Sequence, residues 1–403
     1  MGRTSRFLAT AAAVATSCAG LVATAPPAVA DGPGVGTPTV VTLGDSYISG
    51  EGGRWAGNTN TSSSNVDALG STAYYDNASS TAETIAGCHR SKAAEAFIGG
   101  GVVGANLSCS GARTYTQTGG DFKPGIDFYD NGAGQQGQAK MLQTYAATHN
   151  VKMVVLSIGG NNFNFADIVQ TCITNFLLSP SWWPNYCYDD SSVSSNFTTT
   201  NITNQTNAIK GAIQNVQSAM ANAGYAQSQY TILVQNYMSP VPLGSGFRYS
   251  QSGYTRQSTG GCGFWNKDAD WANNTAVVKI NGAVASAAAQ VGGNVKTMNL
   301  QTSFNGRRLC ENTVGLLEEK GLATWQSTGA VDKTEWISQV RTVSTVFGPY
   351  QVQESLHPNY WGELALRNCV RQAYNGGTPR GGTCARGSLT GKNAQGEPNM
   401  TLT

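Results

Sequence analysis

The chain has 403 residues, 40% of them hydrophobic, with 49 glycines and only 12% charged residues, roughly half the usual charged share of a soluble protein. Its 25 basic and 23 acidic residues nearly cancel, and they balance once Arg3 and Arg6 are assigned to a leader. That neutrality excludes phosphate-backbone binding as the main task, so no nucleic-acid partner is expected.

Residues 1–30 read as a secretory signal: Arg3 and Arg6, an apolar stretch from Phe7 to Ala15, and Ala28-Val29-Ala30 as a small-residue cleavage site. Asp31 would begin the mature, extracellular protein. Thr16, Ser17, Thr24 and Pro26-Pro27 interrupt the run of about 18 apolar residues that a membrane anchor needs, so no stable membrane insertion is expected. Cys18 lacks the branched aliphatic expected ahead of a lipidated cysteine.

Beyond the leader, five short, apolar and often β-branched segments read as buried parallel strands: Pro38 to Leu43, Val102 to Leu107, Val151 to Ile158, Tyr230 to Asn236 and Val295 to Leu300. Helical periodicity runs over Gln135 to Thr148, Asn204 to Ala223, Lys267 to Ala289 and Tyr360 to Tyr374. Strand and helix alternate, which predicts one three-layer α/β/α domain with a mostly parallel central sheet and functional loops at the strands' carboxyl ends. Glu51 to Thr81, Cys172 to Thr200 and Leu243 to Gly263, rich in Gly, Ser, Asn and aromatic residues, read as long loops. The catalytic domain is expected over 31–384, and 385–403, without hydrophobic periodicity, as a flexible tail.

Eight cysteines remain after the leader, an even number in a chain bound for an oxidising compartment. Pairing neighbours gives four separate loops: Cys88 with Cys109, Cys172 with Cys187, Cys262 with Cys310, and Cys369 with Cys384. No Cys-x2-Cys pair exists and only three histidines are present, so no metal and no cofactor is expected.

The chemistry centres on Val40-Val41-Thr42-Leu43-Gly44-Asp45-Ser46, a buried strand running into a small-residue turn. Ser46 would stand at a helix start, where unpaired backbone N–H groups favour a developing oxyanion. A serine nucleophile needs a base. His149 ends a helix and reads as a cap. His89, beside Cys88, suits a structural hydrogen bond or a pocket rim. His357 lies in Glu354-Ser355-Leu356-His357-Pro358-Asn359, and Pro358 argues against a helix through it. Glu354 could fix the histidine's tautomer as a triad's third member or be a solvated surface group.

At these residues the chain resembles the SGNH, or GDSL, hydrolases, particularly secreted, disulfide-bearing lipases and esterases of the actinobacterial type. Gly44-Asp45-Ser46-Tyr47-Ile48-Ser49-Gly50-Glu51-Gly52 is similar to the nucleophile block, in which Ser46 attacks an ester carbonyl and its N–H serves the oxyanion hole. Leu107-Ser108-Cys109-Ser110-Gly111-Ala112 and Ser157-Ile158-Gly159-Gly160-Asn161-Asn162-Phe163 resemble the blocks that supply Gly111 N–H and the Asn161 amide to that hole. Asn162 stands where an aspartate is frequent. The His357 loop carries Glu354-x-x-His357 where the family often has Asp-x-x-His, and some relatives use a backbone carbonyl instead. Gly87-Cys88-His89-Arg90-Ser91 and Asn305-Gly306-Arg307-Arg308-Leu309-Cys310-Glu311 also look like pieces of these relatives. The resemblance implies a flavodoxin-like fold and a secreted, monomeric carboxylic-ester hydrolase acting through an acyl-enzyme on a small-molecule or lipid ester. The alternatives are a polysaccharide acetyl esterase of the same fold, acting on an acylated polysaccharide, and a catalytically silent cell-surface or carbohydrate-binding module. No serine lies in the Gly-x-Ser-x-Gly elbow of an α/β-hydrolase. The apolar segment Phe176 to Pro184 is a candidate acyl-chain lining; alternatively Trp182 and Trp183 pack the insertion onto the domain.

Overall fold

The computed structural model describes residues 31–342 and 352–403; the expected signal over 1–30, with Cys18, lies outside them. Seven strands form one sheet: β1 (Pro38–Gly44), β2 (Val103–Asn106), β3 (Asn150–Ser157), β4 (Thr231–Gln235), β5 (Val295–Asn299), β6 (Gly382–Ala385) and β7 (Thr401–Leu402). Their order is β2-β1-β3-β4-β5-β6-β7, parallel throughout except for the antiparallel pair β6–β7. The sheet therefore grows outward in both directions from β1 and β3. In open α/β sheets such a reversal leaves a crevice beyond the strands' carboxyl ends.

The core explains the alternation. Val40, Val41 and Leu43 of β1 and Val151 to Leu156 of β3, Lys152 apart, are fully buried, as central strands covered on both faces require. Two strands expected to be buried are not. Val103 of β2 is 43% exposed, because β2 is an edge strand paired only with β1. Lys296, Thr297 and Asn299 of β5 are exposed, and β5 pairs with β6 over only two positions.

Helix α1 (Ser46–Ser49) leaves β1 directly. α2 (Gln138–Ala146), α4 (Thr199–Asn222) and α5 (Val277–Val291) pack side by side, while α6 (Tyr360–Tyr374) packs on the Lys92–Ala96 segment through Arg367, whose Nε donates to Ala94 O at 3.1 Å. The helix expected from Lys267 forms as Asn266–Trp271, a π-turn over Ala272–Ala276, and then α5. The loop expected over Cys172 to Thr200 is only partly irregular. Helix α3 (Phe165–Leu178) runs through Cys172, and its residues Ile168, Cys172, Ile173 and Phe176 are buried.

The four bridges join Cys88–Cys109, Cys172–Cys187, Cys262–Cys310 and Cys369–Cys384. The segment expected as a loose tail is instead folded back on the domain. Met400 and Leu402 are buried, β7 pairs with β6, and the buried Glu397 carboxylate meets Arg371 of α6. An isolated hydrophobic pair and the ion pairs of Glu397 with Arg371 and Arg386 with Asp332 give no sequence periodicity, yet they anchor the end. Among the described residues no helix is long and apolar enough to cross a membrane.

Candidate active site

Gly44 ends β1 at φ +141, and a Cβ there would lie 1.9 Å from Ser157 O; only glycine lets β1 and β3 stay in register while the chain turns. Asp45 follows, its N–H donating to Ser157 O at 3.0 Å. Its carboxylate caps α1 by accepting from Tyr47 N at 3.1 Å, the usual service of an aspartate at a helix start. Gly50, at φ +91, closes α1 after four residues. This short helix holds Ser46 nearly buried at the crevice.

Ser46 Oγ lies 2.7 Å from His357 Nε2, and His357 Nδ1 lies 2.9 Å from Ser355 O. A carbonyl can only accept, so Nδ1 carries the proton and Nε2 presents the lone pair that a general base needs. The loop is set from three sides. Tyr47 OH donates to Leu356 O at 3.0 Å, and Ser338 exchanges backbone bonds with Leu356 N and His357 O at 3.1 and 2.9 Å. Asn359 caps α6 through Trp361 N and Gly362 N. Leu356 accepts a left-handed φ of +62 to make the turn.

The expected acid is turned elsewhere. Glu354 Oε2 accepts from Trp55 Nε1 at 2.9 Å and Oε1 from Tyr74 OH at 2.5 Å. The orienting contact at His357 Nδ1 is the Ser355 carbonyl, so the assignment of Glu354 as the acid is corrected. A side chain three residues before the histidine points back across the loop toward Trp55 and Tyr74.

Gly111 and Asn161 border the same cavity as Ser46 and His357. The Gly111 loop is laid over the end of β1 by Cys109 N, which donates to Gly44 O at 3.0 Å, and by Ser110 N, which donates to Cys88 O at 3.0 Å. Gly111 takes φ +78, and a Cβ there would meet nothing nearer than Lys123 Cε at 3.5 Å. Asn161 is the second residue of the 3-10 turn Gly160–Phe163 after β3 and spends one amide hydrogen on Ala112 O at 2.9 Å, which fixes the side chain's heading. Asn162, where an aspartate was the commoner residue, ties the two loops together. Its Oδ1 accepts from Thr114 N at 3.1 Å and its Nδ2 donates to Thr114 Oγ1 at 2.9 Å.

Sequence reasoning missed two side chains here. Tyr237, just past β4, donates to Asp45 Oδ2 at 2.6 Å and accepts from Gly160 N at 2.9 Å, joining the Ser46 turn to the Asn161 turn. Burial pushes the Asp45 carboxyl up to about 7 against these bonds. Glu51, fully buried five residues after Ser46, borders the cavity as well; its partners are distant in sequence, so no local pattern marks it. Burial likewise lowers the His357 imidazole below the ordinary histidine value, opposed chiefly by Glu51. His89 stacks on Tyr74, and His149 caps α2 through Tyr145 O at 2.8 Å.

No protein-family model and no curated protein matches the sequence. Solved structures do resemble the fold. An extracellular lipase from Streptomyces rimosus is 20% identical with TM-score 0.44, over 83% of this chain and 99% of that one. A phospholipase A1 from Streptomyces albidoflavus is 17% identical with TM-score 0.42, over 82% and 95%. A carbohydrate acetylesterase from Sinorhizobium meliloti is 11% identical with TM-score 0.27, over 65% and 84%. These scores are too low to speak to function, so the site's chemistry rests on its own geometry.

That geometry includes a cavity of about 560 Å³. Phe165, Val169, Ile173 and Leu177, spaced four apart on α3, form one wall, with Met238 and Ile280 also lining it. Such spacing puts all four on one helix face. Trp182 and Trp183 neither line this cavity nor pack the insertion down: they are 81% and 73% exposed. Phe176 does the anchoring, packed at 4.7 Å on Trp265.

Proposed function

We propose that the chain is an exported carboxylic-ester hydrolase of the SGNH type, in which Ser46 forms an acyl-enzyme and His357 is its base. The 2.7 Å contact between Ser46 Oγ and a histidine nitrogen whose partner nitrogen is fixed by a carbonyl carries this reading. Attack forms the Oγ–C bond as the Oγ proton passes to Nε2. The carbonyl electrons move to an oxygen received by Ser46 N–H, Gly111 N–H and the remaining Asn161 amide hydrogen. Collapse expels the alcohol, which takes the proton from Nε2. Water, deprotonated by the same nitrogen, then releases the acid.

The apolar wall of α3 supports an ester with an extended acyl chain over an acetylated sugar, whose acyl group would leave most of 560 Å³ unfilled. Four disulfides support export to an oxidising compartment. The test is hydrolysis of p-nitrophenyl esters of increasing acyl length by the protein and by Ser46→Ala. Turnover lost with Ser46 and rising with chain length supports the proposal; turnover that survives Ser46→Ala, or is confined to acetate, overturns its mechanism or its substrate class.

A further inference from the structure

His357 Nδ1 meets the Ser355 carbonyl, a dipole rather than a charge, yet the imidazole side chain is only 13% exposed and must become a cation during attack. A buried cation needs an opposite charge nearby. The Ser46-facing side supplies one. Glu51 Oε2 lies 3.7 Å from His357 Nε2 and accepts the Ser110 hydroxyl, while Oε1 meets His89 Nδ1 at 3.0 Å. The carboxylate itself is 1% exposed.

We propose that Glu51 is the charge partner of the His357 imidazolium, a positioning residue that does from the serine-facing side of the ring what a triad's acid does from the far side. This rests on the reading of Ser46 and His357 as the acyl-transfer pair. Ser110 and His89 hold both carboxylate oxygens, so Glu51 stays beside Nε2 without displacing Ser46 from it. Ser110 also precedes Gly111, so the carboxylate is tied to the loop expected to receive the oxyanion.

The surrounding groups leave Glu51 to carry the charge. Burial acts to raise its carboxyl, but His357, His89 and the Ser110 hydroxyl outweigh it and hold it below the usual carboxylate range. Its acidic neighbours go the other way: burial raises Asp45 to about 7 and pushes up the Tyr47 and Tyr74 hydroxyls. His89 faces Glu51, Glu83 and Glu354; burial alone would lower it, but Glu51 first among the three holds it above the ordinary value. Protonated His89 therefore offsets part of the Glu51 charge felt at His357, and the two neighbours act on that ring with opposite sign.

The test is direct titration of the histidine rings by NMR. The chain has three histidines, so His149→Gln and His89→Gln assign all the signals, and no substrate is needed. Glu51→Gln keeps an oxygen and an amide for Ser110 and His89 but removes the charge. It is expected to lower the His357 midpoint by about one pH unit, with Glu51→Asp lowering it less, and His89→Gln to raise it. In the ester assay Glu51→Gln should then cut kcat roughly ten-fold with KM little changed. A His357 midpoint unmoved or raised in Glu51→Gln overturns the proposal. If that variant does not fold, Glu51→Asp carries the test: a lowered midpoint supports the proposal and an unmoved or raised one refutes it. Failure of Ser46-dependent hydrolysis, in contrast, would strike the ester-hydrolase reading and leave the titration result standing.

Discussion

Replacing Glu354 by glutamine separates two accounts of how His357 is held. If the glutamate were the acid of a triad, losing its charge would cost about 10⁴-fold in kcat. The structure points Nδ1 at Ser355 O and the carboxylate at Trp55 and Tyr74. A glutamine retains one acceptor oxygen, so its amide must face either the indole N–H or the phenol hydroxyl. The phenol oxygen already accepts from Gly52 N at 3.2 Å, and reversing its bond would strand its proton. One buried donor therefore loses its acceptor, at a cost of about 1–3 kcal/mol, which for a chain of this size is a fall of roughly 1–4 °C in Tm. Because the Ser355 carbonyl is untouched, kcat on a p-nitrophenyl octanoate should stay within about five-fold of wild type. A loss of about 10³-fold or more with Tm unchanged would refute this account and restore Glu354 as the acid.

Asn161→Ala should lower kcat by about 10²- to 10³-fold while circular dichroism and Tm stay near wild type, since only the Ala112 carbonyl loses a partner. The rate should also persist into acid: His357 acts as a base only when neutral, and burial holds it below the ordinary histidine value of about 6.5, so activity is full above that lowered value and is lost as pH falls through it. A kcat/KM profile with its acid midpoint above 6.5 would contradict this. Val169→Trp, placed in the α3 wall, should shift preference toward short esters, whereas Trp182→Ala should leave chain-length preference and Tm unchanged because that ring stands in solvent; parallel assays on short and long esters check both.

The central strands and the Ser46 turn were legible because burial on two faces leaves an unbroken apolar run that ends in small residues. Helix α6 was legible because Pro358-Asn359 marks its start. The edge strand β2 and the polar β5 were read as buried because β-branched residues look alike whether or not a neighbour covers them. Helix α3 was lost when Cys172 was taken to begin a loop, although Phe165, Val169, Ile173 and Leu177 repeat every four residues. The remaining site features left no local trace. Ser355 acts through a carbonyl that every residue has, and Glu51 meets partners 38, 59 and 306 positions away, a separation that only the folded sheet brings together.

The two glycines beside Ser46 would behave differently in a substitution library. Gly44 is locked by space: any Cβ would collide with a backbone carbonyl of β3, which has no rotamer with which to yield. Gly111 is locked only by angle, its left-handed φ having room around it, and asparagine or aspartate enters that region with least strain. A saturation screen for folded protein should therefore return an empty column at 44 and a short polar one at 111, so that drift among descendants of this sequence can reach the Gly111 loop but not the turn that carries Ser46.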